Sequence, residues 1–248
     1  MRTVAALLGA FFVLPAVALT LRAPWTRIGE TLRDTATLEA LRLSLVVSVL
    51  AAVVAAACGL PLAYVLTRLP RRVHRAVQPL VLLPMVLPPV VAGVGLLAAF
   101  GSRGVLGRFL PFQLPYTTAG AVLAAAFVAA PFFVTTVEAG FAALEPGYGD
   151  AARTLGAGKW RVLRTVTLPQ LRPALAAGVA LAWARALGEF GATITFAGNL
   201  QGRTQTLPLA VYLELQSDTG AATLLSIVLL AVSLGILVAL RGRWLRTS

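Results

Sequence analysis

The sequence predicts an all-α membrane protein that crosses the bilayer about six times. Apolar residues make up 58% of the 248 residues and charged residues only 12%, whereas an ordinary soluble domain carries about 25% charged residues. The apolar residues form continuous runs rich in Ala, Leu and Val, unlike the alternating pattern of a membrane β-barrel. This composition excludes a disordered chain and disfavours a soluble enzyme.

Six apolar stretches are the candidate membrane spans of one transmembrane domain, 1–248. A span needs roughly 20 residues, because a helix rises 1.5 Å per residue and the hydrocarbon core is about 30 Å thick. The first stretch is the shortest and only marginally long enough. The stretches are 4–21, 41–67, 77–100, 118–144, 174–197 and 220–240.

The first stretch has two interpretations. Arg2, an apolar centre and the segment Ala16-Val17-Ala18 are also typical of a secretory signal peptide with its cleavage site. The apolar run continues past Ala18, however, and cleavage would leave an odd number of spans. A retained helix is therefore preferred, with cleavage left open.

The distribution of Lys and Arg orients the chain, because cytoplasmic loops are enriched in these residues. With the N-terminus inside, 13 of the 21 basic residues are cytoplasmic, seven are external and Arg185 lies within a span. We therefore expect both termini in the cytoplasm. The cytoplasmic set is Arg2, Arg68, Arg71, Arg72, Arg75, Arg153, Lys159, Arg161, Arg164, Arg172, Arg241, Arg243 and Arg246.

The sequence lacks the residue sets of common catalytic sites. Its one histidine, His74, lies in a basic turn and is interpreted as a solvated loop residue. Cys58 is the only cysteine, so it cannot form an intrachain disulfide, and we interpret it as a packing residue. No cluster has the spacing of metal ligands, and no Gly-rich phosphate loop occurs. We expect no catalytic residue, metal or cofactor on this chain, and a membrane-embedded enzyme is the disfavoured alternative.

The longest inner segment, 145–173, is amphipathic and predicts two short helices joined by a glycine elbow. Pro146 suits a first helical position, and Gly156 suits the left-handed residue that ends a helix. A second helix is predicted over 159–167, and Pro169 is expected to end it. A hairpin that rests on lipid headgroups is the simplest alternative. The apolar face of the second helix would carry Trp160, Leu163 and Val166.

The spacing in this segment resembles the EAA loop of ABC importer permeases. That loop reads Glu-Ala-Ala, three residues, Gly, nine residues, Ile-x-Leu-Pro; here Asp150 replaces the Glu and Val166 replaces the Ile. The resemblance implies that loop 145–169, the EAA-like loop, forms a cytoplasmic coupling helix that docks on an ATPase subunit. The candidate coupling residues are Asp150, Ala151, Ala152, Arg153, Gly156, Leu168 and Pro169.

Further segments are similar to molybdate permeases, so that the resemblance covers about 40–240. They are 185–193, 196–199 and 202–209, and the run Leu87-Pro88-Pro89-Val90-Val91 fits the same oxyanion group. Sulfate permeases are also similar, but they usually carry Tyr-Gly-Ser where this chain has Phe190-Gly191-Ala192.

This resemblance implies a subunit of an ATP-driven importer for molybdate or tungstate in a bacterial or archaeal inner membrane. It further implies a homodimer with the pathway at its centre, two cytoplasmic ATPase subunits that bind ATP and Mg, and an external molybdate-binding protein. A sulfate or thiosulfate permease is the nearest alternative. A stand-alone channel is disfavoured by the EAA-like spacing.

Arg185 and Glu189 are the ionisable residues expected inside the fifth span, where a charge is costly. They are four residues apart and therefore share a helix face. Two roles stay open: they line the pathway, or they form an ion pair that only locks helix packing. Glu138, near the inner end of the fourth span, is predicted to brace the EAA-like loop. The remaining pathway candidates are Thr193, Asn199, Pro88 and Pro89.

Overall fold

Helices are the regular elements of this protein. The structure, a computed structural model, describes residues 2–244, with side chains at 9–145, 147–236 and 238. It is 81% helical and has no strand within that part of the chain, which confirms the all-α class. The α-helices are α1 (Arg2–Arg22), α2 (Ile28–Arg33), α3 (Thr35–Leu66), α4 (Arg71–Val86), α5 (Pro89–Phe100), α6 (Thr118–Ala142), α7 (Pro146–Thr154), α8 (Lys159–Val162), α9 (Leu168–Leu187), α10 (Gly191–Ala197), α11 (Leu207–Ser217) and α12 (Thr219–Trp244).

Several of these helices are apolar enough to cross a membrane. By length and composition, α3, α6 and the part Thr219–Ile236 of α12 each qualify alone among the residues described. Two bent pairs qualify together, Gly9–Arg22 with Trp25–Arg33 at 67° and α4 with α5 at 113°. Each of the six predicted stretches lies on helix, but two of them are not continuous helices. By length and composition the described residues offer three to five candidate spans where the sequence predicts about six, and α9, which holds most of the stretch 174–197, is not among them.

The predicted span 77–100 is not one continuous helix. Its prolines at 84, 88 and 89 leave a break or a kink open as alternatives, and the structure shows a break, because the chain leaves α4 at Leu87. Leu87 has an extended backbone (φ −62°, ψ 133°), as expected for a residue that precedes proline. Pro88 and Pro89 have no N–H with which to continue α4. Pro89 instead becomes the first residue of α5, where a missing N–H costs nothing.

The predicted span 174–197 is not one continuous helix either. The first part of this stretch belongs to α9, which already begins at Leu168 and ends at Leu187. Phe190 then adopts a non-helical backbone (φ −131°, ψ −58°) before α10 begins. Helix α11 was not predicted from the sequence, because its 11 residues are too few to form a span.

The centre of the molecule is a bundle of α3, α6 and α9. Small residues on these helices let the backbones approach closely, and Phe133 of α6 fills the space that remains. A Cβ at Gly59 of α3 would lie 2.7 Å from the Phe133 ring, and one at Gly178 of α9 would lie 3.0 Å from it. Trp183 of α9 donates a hydrogen bond to Ser48 of α3 (Nε1–Oγ 2.8 Å). Glycine opposite a buried ring therefore sets the packing of these three helices.

Candidate functional site

The first half of the EAA-like loop folds as predicted. Pro146 is the first residue of α7, and Gly156 follows its end with the left-handed value φ +82°. Gly156 N–H donates to the Arg153 carbonyl (2.9 Å), and Ala157 N–H donates to the Ala152 carbonyl (3.0 Å). These two bonds form a Schellman motif, which satisfies the last carbonyls of the helix. The glycine elbow is thereby confirmed.

The helix before the elbow presents a largely exposed surface. Asp150 and Arg153 form an ion pair (Oδ1–Nη1 3.4 Å), and their side chains are 69% and 51% exposed. Leu155 is 88% exposed and adds an apolar side chain to this surface. Ala151 is also exposed, whereas Ala152 is half-buried. A small, partly apolar surface with one ion pair is thus open to another protein.

The second half of the loop differs from the prediction. Helix α8 passes through a π-helical turn, Leu163–Thr167, straight into α9. Pro169 therefore does not end a helix; it lies with Leu168 in the first turn of α9, where proline is tolerated. The expected apolar face is correct only in part. Leu163 and Val166 are half-buried and line a cavity together with the buried Val162, but Trp160 is 67% exposed.

A cavity of about 770 Å³ separates the EAA-like loop from the C-terminal ends of α3 and α6 and the N-terminal end of α4. His74 of α4 and Glu138 of α6 line this cavity and form a hydrogen bond across it (Nε2–Oε1 2.5 Å). The interpretation of His74 as a solvated loop residue is therefore wrong. The two residues are 64 positions apart, and no local sequence pattern indicates that they pair. Four cations line the same cavity: Arg68, Arg71, Arg153 and Lys159.

Arg185 and Glu189 bridge the break between α9 and α10. Their side chains form an ion pair (Nη2–Oε2 2.7 Å), and the second carboxylate oxygen of Glu189 accepts the Ala192 N–H (2.8 Å). Arg185 lies in the last turn of α9 and Glu189 just before α10, where the helix dipoles favour a cation and an anion respectively. The side chain of Glu189 is 2% exposed and that of Arg185 is 28% exposed. This geometry is that of an ion pair and helix cap.

The α9–α10 break lies beside the break between α4 and α5. Pro89, the first residue of α5, contacts Gly191, the first residue of α10, so closely that a Cβ on Gly191 would overlap the proline ring. Further along, a Cβ on Gly93 would lie 2.5 Å from the Cβ of Thr195. The structure therefore brings Pro89, from one predicted span, against Gly191, which lies two residues beyond Glu189 in another.

Thr193 and Asn199, the other two pathway candidates, are buried and half-buried respectively. Thr193 is 1% exposed and so does not face open space on this chain. Asn199 lies in the loop after α10, and its Oδ1 is buried without a hydrogen-bond partner in the part of the chain described. Pro88 and Pro89 are both exposed. Among the candidates, the two prolines are exposed, Arg185 and Asn199 are half-buried, and Thr193 and Glu189 are buried.

The loops that precede α6 and α12 each contact another loop of the chain. Gly198 has φ +75° and lies against the Tyr116 ring, where a Cβ would be 3.0 Å from the ring. Arg27 donates to Asp218 (Nη2–Oδ2 2.7 Å). This hydrogen bond lowers the pKa of the Asp218 carboxyl below its ordinary value. Asp218 also accepts the N–H groups of Gly220 and Ala221, so it caps the start of α12.

The α5–α10 contact gives a direct prediction. We expect Gly93→Ala to lower the thermal stability of the detergent-solubilised protein, because overpacking a tight contact costs about 1–3 kcal/mol. Gly95→Ala is the control, since it lies on the same helix with nothing within 4 Å of its added Cβ. Size-exclusion chromatography after heating measures the difference. Equal melting of both variants would contradict the close packing of α5 on α10.

The chain is similar to one protein family and to several known transport proteins. Residues 48–247 match the family described as "Binding-protein-dependent transport system inner membrane component". The molybdenum transport system permease protein ModB of Mycobacterium tuberculosis is 41% identical over 236 residues, covering 94% of this chain and 89% of that protein. ModB of Escherichia coli is 38% identical, covering 84% of this chain and 92% of that protein.

A sulfate permease and a solved transporter structure are also similar. The sulfate transport system permease protein CysT of Escherichia coli is 37% identical, covering 87% of this chain and 79% of that protein. A chain of a bacterial ABC transporter that imports alginate superimposes with a TM-score of 0.79 and 19% identity. That match covers 99% of this chain and 93% of the other.

Proposed function

The chain belongs to the family of binding-protein-dependent transport system inner membrane components, and on that premise we propose that it is the permease subunit of an ATP-driven molybdate importer. The resemblance to ModB proteins over most of the chain is the observation that carries this proposal. ATP and Mg would be bound by a partner ATPase, because this chain offers no phosphate-binding loop in its sequence.

Molybdate is preferred over sulfate as the substrate. The ModB of Mycobacterium tuberculosis is 41% identical to this chain, and CysT is 37% identical. Phe190-Gly191-Ala192 also differs from the Tyr-Gly-Ser that is usual in sulfate permeases. The likeness to CysT keeps sulfate or thiosulfate as the second candidate, and tungstate, which is similar in size and charge to molybdate, as a further substrate.

A second copy of the chain completes the proposed pathway. Beyond Pro88 and Pro89, helix α5 exposes Val90, Val91 and Val94, each at least half accessible. An apolar face next to two helix breaks suits contact with another copy across a central pathway. Arg185 would reduce the electrostatic repulsion of a dianion in the pathway only in part, because Glu189 neutralises much of the positive charge of Arg185.

The remaining partners are an external oxyanion-binding protein and two cytoplasmic ATPase subunits. The exposed surface around Asp150, Arg153 and Leu155 supports docking of the EAA-like loop on an ATPase. Both chain termini are proposed to be cytoplasmic, although residues 1 and 245–248 lie outside the described residues.

Substrate competition tests the proposal. The complete transporter is reconstituted in vesicles, and uptake of radioactive molybdate is measured with an excess of unlabelled molybdate, tungstate or sulfate. We expect molybdate and tungstate to suppress uptake and sulfate to have little effect. Sulfate as the strongest competitor would favour the second candidate, and uptake without ATP would contradict an ATP-driven importer.

The proposed orientation has its own test. In a Cys58→Ser background, a cysteine at Gly158 should react with an impermeant thiol reagent only from the cytoplasmic side. A cysteine at Gln201 should react only from outside, and both positions are exposed. The asymmetry of 13 cytoplasmic to seven external basic residues is the reason. External labelling at Gly158 would refute both the orientation and the docking of the EAA-like loop.

A further inference from the structure

His74 and Glu138 each occupy the electrostatically unfavourable end of their helix. His74 lies in the first turn of α4, which contains no acidic residue, whereas helix N-termini favour anionic side chains. Glu138 lies four residues before the end of α6, and helix C-termini disfavour anions. Neither side chain therefore stabilises its own helix. Their hydrogen bond to each other compensates for this placement and joins the two helices.

The Glu138 end of this bond is closely connected to the EAA-like loop. Two residues beyond Glu138, Gly140 contacts the start of α9; a Cβ on Gly140 would overlap Ala174 and lie 3.2 Å from the Leu171 side chain. Leu171 is 1% exposed, and α9 continues from the π-helical turn of the loop without interruption. A displacement of the loop would thus reach Glu138 through one tightly packed contact.

The His74 end is connected to the helix breaks. From His74, α4 runs 12 residues to Val86, with Val77 and Val81 packed against the central bundle. After the bend, Pro89 contacts Gly191, and Glu189 caps the next residue, Ala192. One helix thus joins the cavity beside the EAA-like loop to the α5–α10 contact.

We infer that the hydrogen bond between His74 and Glu138 fixes the inner end of α4 to α6 and transmits movement of the EAA-like loop to the α5–α10 contact. Both are positioning residues of the transport cycle. This inference rests on the coupling function proposed for the loop. It requires the bond itself, because the cavity of about 770 Å³ leaves little other packing between His74 and the loop.

Two polar substitutions that differ by one methylene test the bond. In His74→Gln the amide nitrogen reaches about as far as imidazole Nε2, the atom that contacts Glu138, whereas in His74→Asn it stops near the position of Nδ1. The complete transporter is purified and reconstituted in vesicles. The molybdate taken up per ATP hydrolysed is measured, and the amount of assembled complex is determined in parallel. We expect His74→Gln to stay within about twofold of the parent and His74→Asn to fall by about fivefold or more. Equal coupling in both variants would overturn the inference.

If His74→Asn fails to assemble, a double variant in which the two residues exchange places tests the inference. His74→Glu combined with Glu138→His restores a carboxylate–imidazole bond and places each charge at the favourable end of its helix. We expect this double variant to regain coupling that His74→Glu alone loses, and failure to regain it would overturn the inference. Arg75→Ala, exposed and outside the cavity, is the control. If the parent complex shows no ATPase stimulation by the loaded binding protein, the proposed function fails instead.

Discussion

Gly156→Val is expected to abolish molybdate uptake and the stimulation of ATP hydrolysis by the loaded binding protein, while membrane insertion stays normal. Gly156 has φ +82°, which costs an ordinary L-residue roughly 1–2 kcal/mol and a β-branched residue more. Nothing lies within 4 Å of a Cβ at this position, so the cost arises in the backbone and not from a clash. The elbow would rearrange, and α7 would no longer present Asp150 and Leu155 in one orientation.

Gly158→Val provides the matched control for this prediction. The same residue type is introduced two positions later, where the backbone is extended (φ −65°, ψ 159°) and the space is equally open. The ATPase activity of the purified complex is measured with and without the loaded binding protein. We expect Gly158→Val to keep stimulation and Gly156→Val to lose it. If Gly156→Val keeps parental stimulation and uptake, this elbow is not the coupling element.

Glu189→Ala is expected to cause the largest loss of stability. It removes the partner of Arg185 and leaves the Ala192 N–H without its acceptor. Breaking a buried ion pair by removing one partner costs about 3–5 kcal/mol. Arg185 is 28% exposed and can be partly hydrated, which places the expected loss toward the lower end of that range. The amount of assembled complex and its melting temperature measure the effect.

A double variant separates the structural role of the pair from a role in the pathway. Arg185→Gln combined with Glu189→Gln removes both charges and keeps an acceptor for the Ala192 N–H. If the pair only stabilises the break, this double variant should recover most of the assembly and uptake that either single change loses. If Arg185 assists the dianion, assembly should recover while uptake per complex stays low. Parental melting of Glu189→Ala would contradict the cap itself.

Features that depend only on residues close together in the sequence were predictable from it. The spans 41–67 and 118–144 correspond to α3 and α6, because continuous apolar runs have only one stable backbone in a bilayer, the hydrogen-bonded helix. The elbow after α7 was equally predictable, since Pro146 and Gly156 act through their own backbone geometry. No distant residue is needed for either result.

The breaks in α4–α5 and α9–α10 were only partly predictable. Pro88 and Pro89 indicated that the backbone hydrogen bonds are interrupted, but a missing N–H does not specify the direction in which the chain continues. The bend of 113° is selected by packing of α5 on α10, where glycine at positions 93 and 191 admits Thr195 and Pro89. The termination of α9 depends likewise on Glu189 reaching forward to Ala192.

The sequence by itself determined the all-α membrane fold and the form of the EAA-like loop, since hydrophobicity and backbone preference act over a few residues. Only the tertiary structure decided the partners of the polar side chains. His74 was interpreted as solvated and Arg185 had two open roles, because a side chain's partner depends on which helices pack together. Glu138, 64 positions away, is the partner of His74, and Glu189, which caps α10, is the partner of Arg185. A role of Arg185 in the pathway stays a prediction. Such contacts arise from the close packing of whole helices, which no local pattern encodes.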